Sequence, residues 1–456
     1  MNVLKNATNS RMVIKPMLKV LFLIIGLGLS VSWGSALSLG NSTALNYEGY
    51  AGFENWVFLQ KIGKKNWDMS MISARVELLL QTKYPVEFYY SPKFTIDFVN
   101  TDRSRLLLAD QMYIDYLGGL FEIRGGYQIF DWSMVESFSQ IDFINQRDYE
   151  YDILRPQKFG ELALRTRMVF SLEQEHYLEL MYLPEFTEAP LPQMGNNYEL
   201  YPQTLVNDGV EGVYSVKNIE KQMFEDSTME QWHPQGAIRY HINLEQVFES
   251  SLFYFNGYDR YPTLFRRYRE QYYYHWYNLV QKMGGSARLT LQNISLKGEF
   301  VYTTYQSDMP RTLQSIPRIS LDPEKIDPYY AYTAGVDYHF SNPRKDDAVS
   351  KVTVEALIDS DAEKGPYETE GFRPFKSHIY LGYLYRAKAK EERTLKPGVF
   401  INYKDKGTIY RVEYNEWLFD DVLVRLVFDG FFVSDESFFQ MQKKNMRLDG
   451  GVIFKF

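Results

Sequence analysis

The chain has no cysteine. That absence excludes disulfide staples, a lipid-anchored amino terminus and thiol-based metal or redox chemistry. Apart from one short stretch near its start, it also lacks any apolar run approaching the roughly twenty residues that a spanning helix needs, so helical membrane spans are excluded. Histidine is scarce, with six in 456 residues, none of them in an HExxH spacing, and there is no GxSxG elbow. The reading is therefore a non-enzyme with no cofactor and no metal. Basic residues are outnumbered, 50 Lys+Arg against 58 Asp+Glu, and a net charge of -8 argues against a nucleic-acid partner.

What the chain has in excess is aromatic residues, 37 Tyr and 31 Phe, under a mean hydropathy of -0.36. A membrane β-barrel combines these, because each strand gives half its residues to water and aromatic girdles mark both interfaces. A Tyr-rich secreted sandwich array or propeller is the soluble alternative.

Both ends of the chain bear on that choice. Lys15 and Lys19 precede the apolar run from Val20 to Leu29, and Gly34, Ser35 and Ala36 follow it, which is the order of a cleavable export signal. Residues 1–36 are read as that signal and 37–456 as one barrel domain. At the other end, Met446, Leu448, Gly450, Val452, Phe454 and Phe456 share one parity, while Asn445, Arg447, Asp449 and Lys455 hold the other. Side chains alternate across a strand, so the first row faces lipid and the second a wet interior. A closing strand ending in Phe456 also offers the barrel-assembly machinery its handle.

The same alternation recurs along the chain, for example Leu162, Leu164, Met168 and Phe170 against Glu161, Arg165 and Arg167. The fold class is all-β: a transmembrane antiparallel β-barrel of about eighteen strands, or sixteen if the strands near residues 405–407 are miscounted. Among the predicted strands is 398–404, after an AKEERTLK connection. Connections alternate between short ones, such as QTKYP and LGG, and long ones, such as residues 131–159, 185–234, 258–281 and 306–329. Barrels in the outer membrane of a diderm bacterium place short turns in the periplasm and long loops outside.

A barrel this wide leaves an aqueous channel. The function read from it is a porin for passive diffusion of small polar solutes, with sugars and organic anions as candidates. The alternative is a structural or adhesive barrel that binds partners through its long loops. The inward parity supplies pore-lining charges: Arg75 with Glu77, Glu122 with Arg124, Glu161 with Arg165 and Arg167, then Arg239 and Arg288. Lys297 with Glu299, Arg411 with Glu413, and Arg425 with Asp429 complete the set. These either set a field across the pore or satisfy one another as cross-strand pairs.

Residues 131–159 are the candidate constriction loop, with Asp131, Trp132, Glu136, Asp142, Arg147 and Asp148 as its site residues. Here Gly126 and Gln128 end a strand and are followed by Trp132, Asp142, Asn145 and Asp148. In that order the segment resembles the outer-membrane channel families related to alginate export and carbohydrate uptake, with Ser133 where those often have Gly. The resemblance implies that Trp132 and the nearby acids line the narrow part of the pore. A surface loop is the other reading. Residues 258–277 form a second cluster, with Arg260, Arg266, Arg267 and Arg269 among Tyr268, Tyr272, Tyr273, Tyr274 and Trp276. It reads either as an aromatic girdle or as a patch for sugars or anionic lipid headgroups.

Overall fold

The computed structural model describes residues 37–38, 43–59, 68–101, 104–171, 175–188, 190, 204–206, 213–215, 218–220, 233–244, 247–261, 263–266, 272–306, 328–340, 348–360, 373, 375–387, 393–404, 406–419, 421–434, 439, 442–443 and 445–456. Residues 1–36, which carry the expected export signal, lie outside this set, as do Arg267, Tyr268 and Arg269.

Eighteen long strands close into one antiparallel barrel. The first four are β1 (Ala44–Phe58), β2 (Met69–Gln81), β3 (Val86–Asp97) and β4 (Arg105–Gly118), followed by β5 (Phe121–Gln128) and β6 (Glu161–Ser171). Next come β7 (His176–Leu183), β8 (Gln235–Leu244), β9 (Phe248–Tyr258), β10 (Leu279–Leu291), β11 (Ile294–Tyr305) and β12 (Tyr329–Phe340). The last six are β13 (Ala348–Asp359), β14 (Ser377–Ala387), β15 (Arg393–Asn402), β16 (Thr408–Phe419), β17 (Val422–Phe432) and β18 (Met446–Lys455). β18 pairs with β1, Val452 opposite Phe53 and Phe454 opposite Ala51, so no edge is left unpaired. Among the described residues there is no α-helix.

The strand predicted at 398–404 begins earlier, at Arg393, and ends at Asn402. Pairing explains the shift. Leu395 and Thr394 continue the ladder opposite Tyr385 and Arg386 of β14, although ERT reads as a turn in sequence. At the far end Asn402 Oδ1 accepts from the Lys404 amide at 2.9 Å, which starts the turn.

The parity rule holds around the wall. Outward positions such as Ile114, Leu164, Leu252, Phe300, Val336 and Phe454 are exposed apolar side chains, and inward neighbours are charged, polar or, at positions such as Trp56, Phe253 and Phe255, buried apolar residues. A continuous apolar band on a closed sheet is what a bilayer requires, since lipid cannot satisfy an open backbone. All connections at one end are short, from 292–293 up to 341–347; at the other end they include 59–68, 129–160 and 184–234.

Candidate functional site

The interior is organised by the segment between β5 and β6. Gly126, near the end of β5, has φ +132°, and a Cβ there would stand 2.1 Å from the Met112 carbonyl oxygen. Only glycine permits this close crossing, which lets the strand run on to Gln128 before the loop begins. Asn145 then fastens the base of the loop: its amide nitrogen donates to the carbonyls of Gln128 (2.8 Å) and Phe159 (2.7 Å), and its oxygen accepts from the Phe130 amide (2.7 Å). Glu161 accepts from the Gln146 amide at 3.1 Å. The two-residue pair Arg147–Asp148 with Gln157–Lys158 makes the loop a small hairpin.

From that base the loop reaches inward charges on strands all round the barrel. Glu299 of β11 accepts from the Met134 amide (2.7 Å), the Ser139 hydroxyl (2.7 Å) and the Gln140 amide (3.1 Å). Glu355 of β13 accepts from the amides of Glu136 and Ser137, both at 2.9 Å, and from Lys297 at 2.6 Å. Arg411 of β16 forks onto Asp152 at 3.1 and 2.8 Å, and Arg447 of β18 stands 3.6 Å from the same carboxylate. Arg155 donates to Glu413 at 2.7 Å, and Lys351 holds Glu136 at 2.5 Å. Tyr151 donates to Glu54 of β1, Arg105 of β4 to Glu150, and Lys93 of β3 to Gln157. Such an arrangement fixes a loop across a lumen, because buried carboxylates that accept several donors cannot be abandoned cheaply.

Apolar contacts complete the hold. Ile141, Phe143 and Ile144 pack with Phe253, Phe255, Val280 and Val301 of the wall. Tyr149, Ile153 and Leu154 join Trp56, Phe58 and Met69. The Phe138 ring lies 5.0 Å from that of Phe375.

The charges predicted to line the pore divide in two. Arg75, Glu77, Glu122, Arg124, Arg167, Arg288 and Arg425 keep partial exposure, whereas Arg165, Arg239, Lys297, Glu299, Arg411, Glu413 and Asp429 are buried, most of them beneath the loop. Their pairing also departs from expectation. Arg75 does lie 3.5 Å from Glu77. The Arg124 guanidinium instead sits on Asp115, Glu122 is 3.6 Å from Arg167, and Arg167 donates to Glu179 at 2.6 Å. Lys297 binds Asp337 and Glu355 rather than Glu299, and Asp429 pairs with Arg447 rather than Arg425. The reason is distance: side chains two apart on one strand stand about 7 Å apart, while cross-strand neighbours stand about 5 Å apart.

Within the loop, Asp131, Glu136 and Arg155 present exposed side chains, 76%, 49% and 46% accessible. Trp132 and Asp142, expected at the narrow part of the pore, are buried. Trp132 packs 5.4 Å from the Phe253 ring beneath Arg239, and Asp142 neutralises Arg147 (2.5 Å) and Lys158 (2.7 Å). Burial strengthens those pairs but removes them from water. Asp148 instead faces a cavity of about 620 Å³ between the loop and β1–β4 and β16–β18. Of the second cluster, Arg260 is buried and its Nε donates to the Ile144 carbonyl at 2.8 Å; the side chains of Arg266 and of Tyr272–Trp276 lie outside the described set. Sequence reading missed Asp115, Asp152, Glu179 and Glu355, all inward or loop carboxylates whose partners are distant in the chain.

No family model matches the chain, and no curated protein sequence matches it. Solved structures do. OccAB1 of Acinetobacter baumannii superposes with a TM-score of 0.51 at 8% identity, over 92% of this chain and 98% of that one. OpdO of Pseudomonas aeruginosa gives 0.48 at 11% identity over 91% and 96%, and OmpF of Salmonella typhi, solved with daunomycin, gives 0.44 at 10% over 91% and 98%. At such identities the likeness to OccAB1 speaks of fold alone: this chain folds as a closed, porin-like β-barrel.

Proposed function

We propose that this protein is an outer-membrane channel through which small polar solutes diffuse passively, and that residues 131–159 form its constriction. The observation that carries the reading is the loop itself, pinned inside a lumen of eighteen strands by wall carboxylates on β11, β13 and β16 and bordering a cavity of about 620 Å³. A barrel of this circumference with nothing inside would be a wide pore; a fixed inner loop narrows it and imposes charge selection.

In this reading residues 1–36 direct export in a diderm bacterium and are removed. The β18 strand ending in Phe456 is the segment offered to the assembly machinery, and the apolar band meets outer-membrane lipid. The resemblance of the Gly126 to Asp148 segment to alginate-export and carbohydrate-porin-related channels belongs to the same proposal, as do sugars and organic anions as solutes.

Planar-bilayer recording tests it. Purified, refolded protein is expected to give discrete conductance steps, and deletion of residues 134–150 is expected to enlarge them. A barrel that migrates as heat-modifiable, folded protein yet gives no steps would point to the adhesive alternative. Steps that deletion leaves unchanged would remove the loop from the permeation path.

A further inference from the structure

We infer that the cavity beside the loop is a binding site for amphipathic zwitterions, namely α-amino acids and short peptides with apolar side chains. The inference rests on the channel reading for its biological setting and on the cavity wall for its chemistry.

Two rows of inward side chains make that wall. Trp417 of β16 is opposite Leu423 of β17, which is opposite Ile453 of β18, an apolar row across three strands. Two residues nearer the long-loop end, the next row runs Asn415, Arg425, Gly451 and Glu54. That step is about 6.8 Å of strand. It is comparable with the reach of a phenylalanine from its ammonium or carboxylate to the far edge of its ring.

The ionic row is unbalanced in a specific way. Of the cations lining the cavity, Lys93 is taken by Gln157, Arg105 by Glu150, Arg155 by Glu413 and Lys455 by Glu48. Arg425 alone makes no hydrogen bond or ion pair among the described residues, although Glu54, Glu413 and Asp449 surround it. Beside it stands Gly451, over which the Glu54 side chain lies, so that a Cβ there would stand 2.9 Å from Glu54 Cγ. On the loop, Asp148 accepts only the amides of Glu150 and Tyr151, at 3.0 and 3.3 Å, both on one oxygen. Glu54 is held by the Tyr151 hydroxyl.

A ligand carboxylate on Arg425, an ammonium between Glu54 and Asp148, and an apolar side chain over Trp417, Leu423 and Ile453 satisfy all of these at once. A simple organic anion meets two carboxylates, a simple cation leaves Arg425 bare, and a sugar neutralises none of the charges. The volume of about 620 Å³ lies within the range of small-molecule sites.

Calorimetry on the detergent-folded, full barrel tests this with three compounds that share a ring: L-phenylalanine, 3-phenylpropionate and phenethylamine. In a wet cavity each ion pair keeps its modest surface value, so phenylalanine is expected to bind about fivefold tighter than either comparator. Arg425→Gln should reduce it to the level of phenethylamine, Asp148→Asn to that of phenylpropionate, and Trp417→Ala should weaken all three by a similar factor. Each variant is first shown to fold by heat-modifiable migration. Equal affinities for the three compounds, or an Arg425→Gln barrel that still prefers the zwitterion, overturn the inference. Conductance is recorded separately. Binding without conductance steps refutes the channel and keeps the site, whereas steps without the preference refute the site and keep the channel.

Discussion

Glu299→Ala is the sharpest probe of how the loop is held. Glu299 is 3% exposed and has no cationic partner among the described residues; all three of its hydrogen bonds go to the loop. Removing it strands the amides of Met134 and Gln140 and the hydroxyl of Ser139. At about 1 kcal/mol net for each bond, the loop loses roughly 3 kcal/mol of its hold, and about twice that if the donors remain dry. A change of 3 kcal/mol moves the balance between seated and released loop by about a hundredfold. Two assays read it. Tryptic cleavage after Arg147 or Lys158 should accelerate in proportion, and single-channel current should grow larger and noisier. Glu299→Gln, which keeps an acceptor oxygen in the same volume, should show a smaller effect. Adding Glu355→Ala should contribute less than it does alone, since both carboxylates hold residues 134–140 and their effects are coupled. A Glu299→Ala barrel with wild-type cleavage rate and current would refute the claim that wall carboxylates seat the loop.

Arg165→Gln with Arg167→Gln leaves Glu122 and Glu179 without their guanidinium partners, so the reversal potential in a salt gradient should move toward cations, with a permeability ratio raised about two- to fivefold. An unmoved potential would place these charges off the ion path. Gly49→Val should destabilise closure, because a Cβ at Gly49 would stand 2.7 Å from the Phe456 ring and 2.8 Å from the Arg75 carbonyl oxygen. Overpacking of this kind costs about 1–3 kcal/mol, readable as a lower temperature for the heat-modifiable shift; a wild-type temperature would contradict it. Acid should loosen the loop. Burial pushes the carboxyls of Glu136 and Asp152 up, but Lys351 on the first, and Arg411 and Arg447 on the second, hold both below the usual range. A lowered folded pKa gives stability that is complete above about pH 5 and drains as pH falls further. Current should therefore be steady from about pH 8 to 5 and rise or flicker below about 4. A trace that stays flat down to about pH 2 would refute this link.

The fold was readable because its physics is local. Period-two alternation in segments such as Glu161–Ser171 and Met446–Lys455 declares both strand and face, and short against long connections declare the barrel's two ends. Where β15 begins was not readable, because Arg393 and Thr394 are strand only by virtue of their partners Ala387 and Arg386. The inward charges were readable as a set but not as pairs. Sequence neighbours such as Lys297 and Glu299 share a face, yet their partners come from the next strands and from the loop. Trp132 illustrates the same limit. Its position in the segment was plain, but whether it meets water or Phe253 depends on a wall more than a hundred residues away.

The contact of Asp152 with Arg411 also has a meaning in time. It joins residues 259 positions apart, and the same carboxylate lies near Arg447 in the final strand. Contacts of such sequence separation form late, since the intervening chain must first be ordered. While the barrel is being built, with β1 to β13 in place and the last strands still absent, Asp152 and Arg155 have no opposite wall to hold. On the channel proposal the constriction is thus the product of completion: the arrival of the carboxy-terminal strands gives Asp152 and Arg155 their partners on the wall.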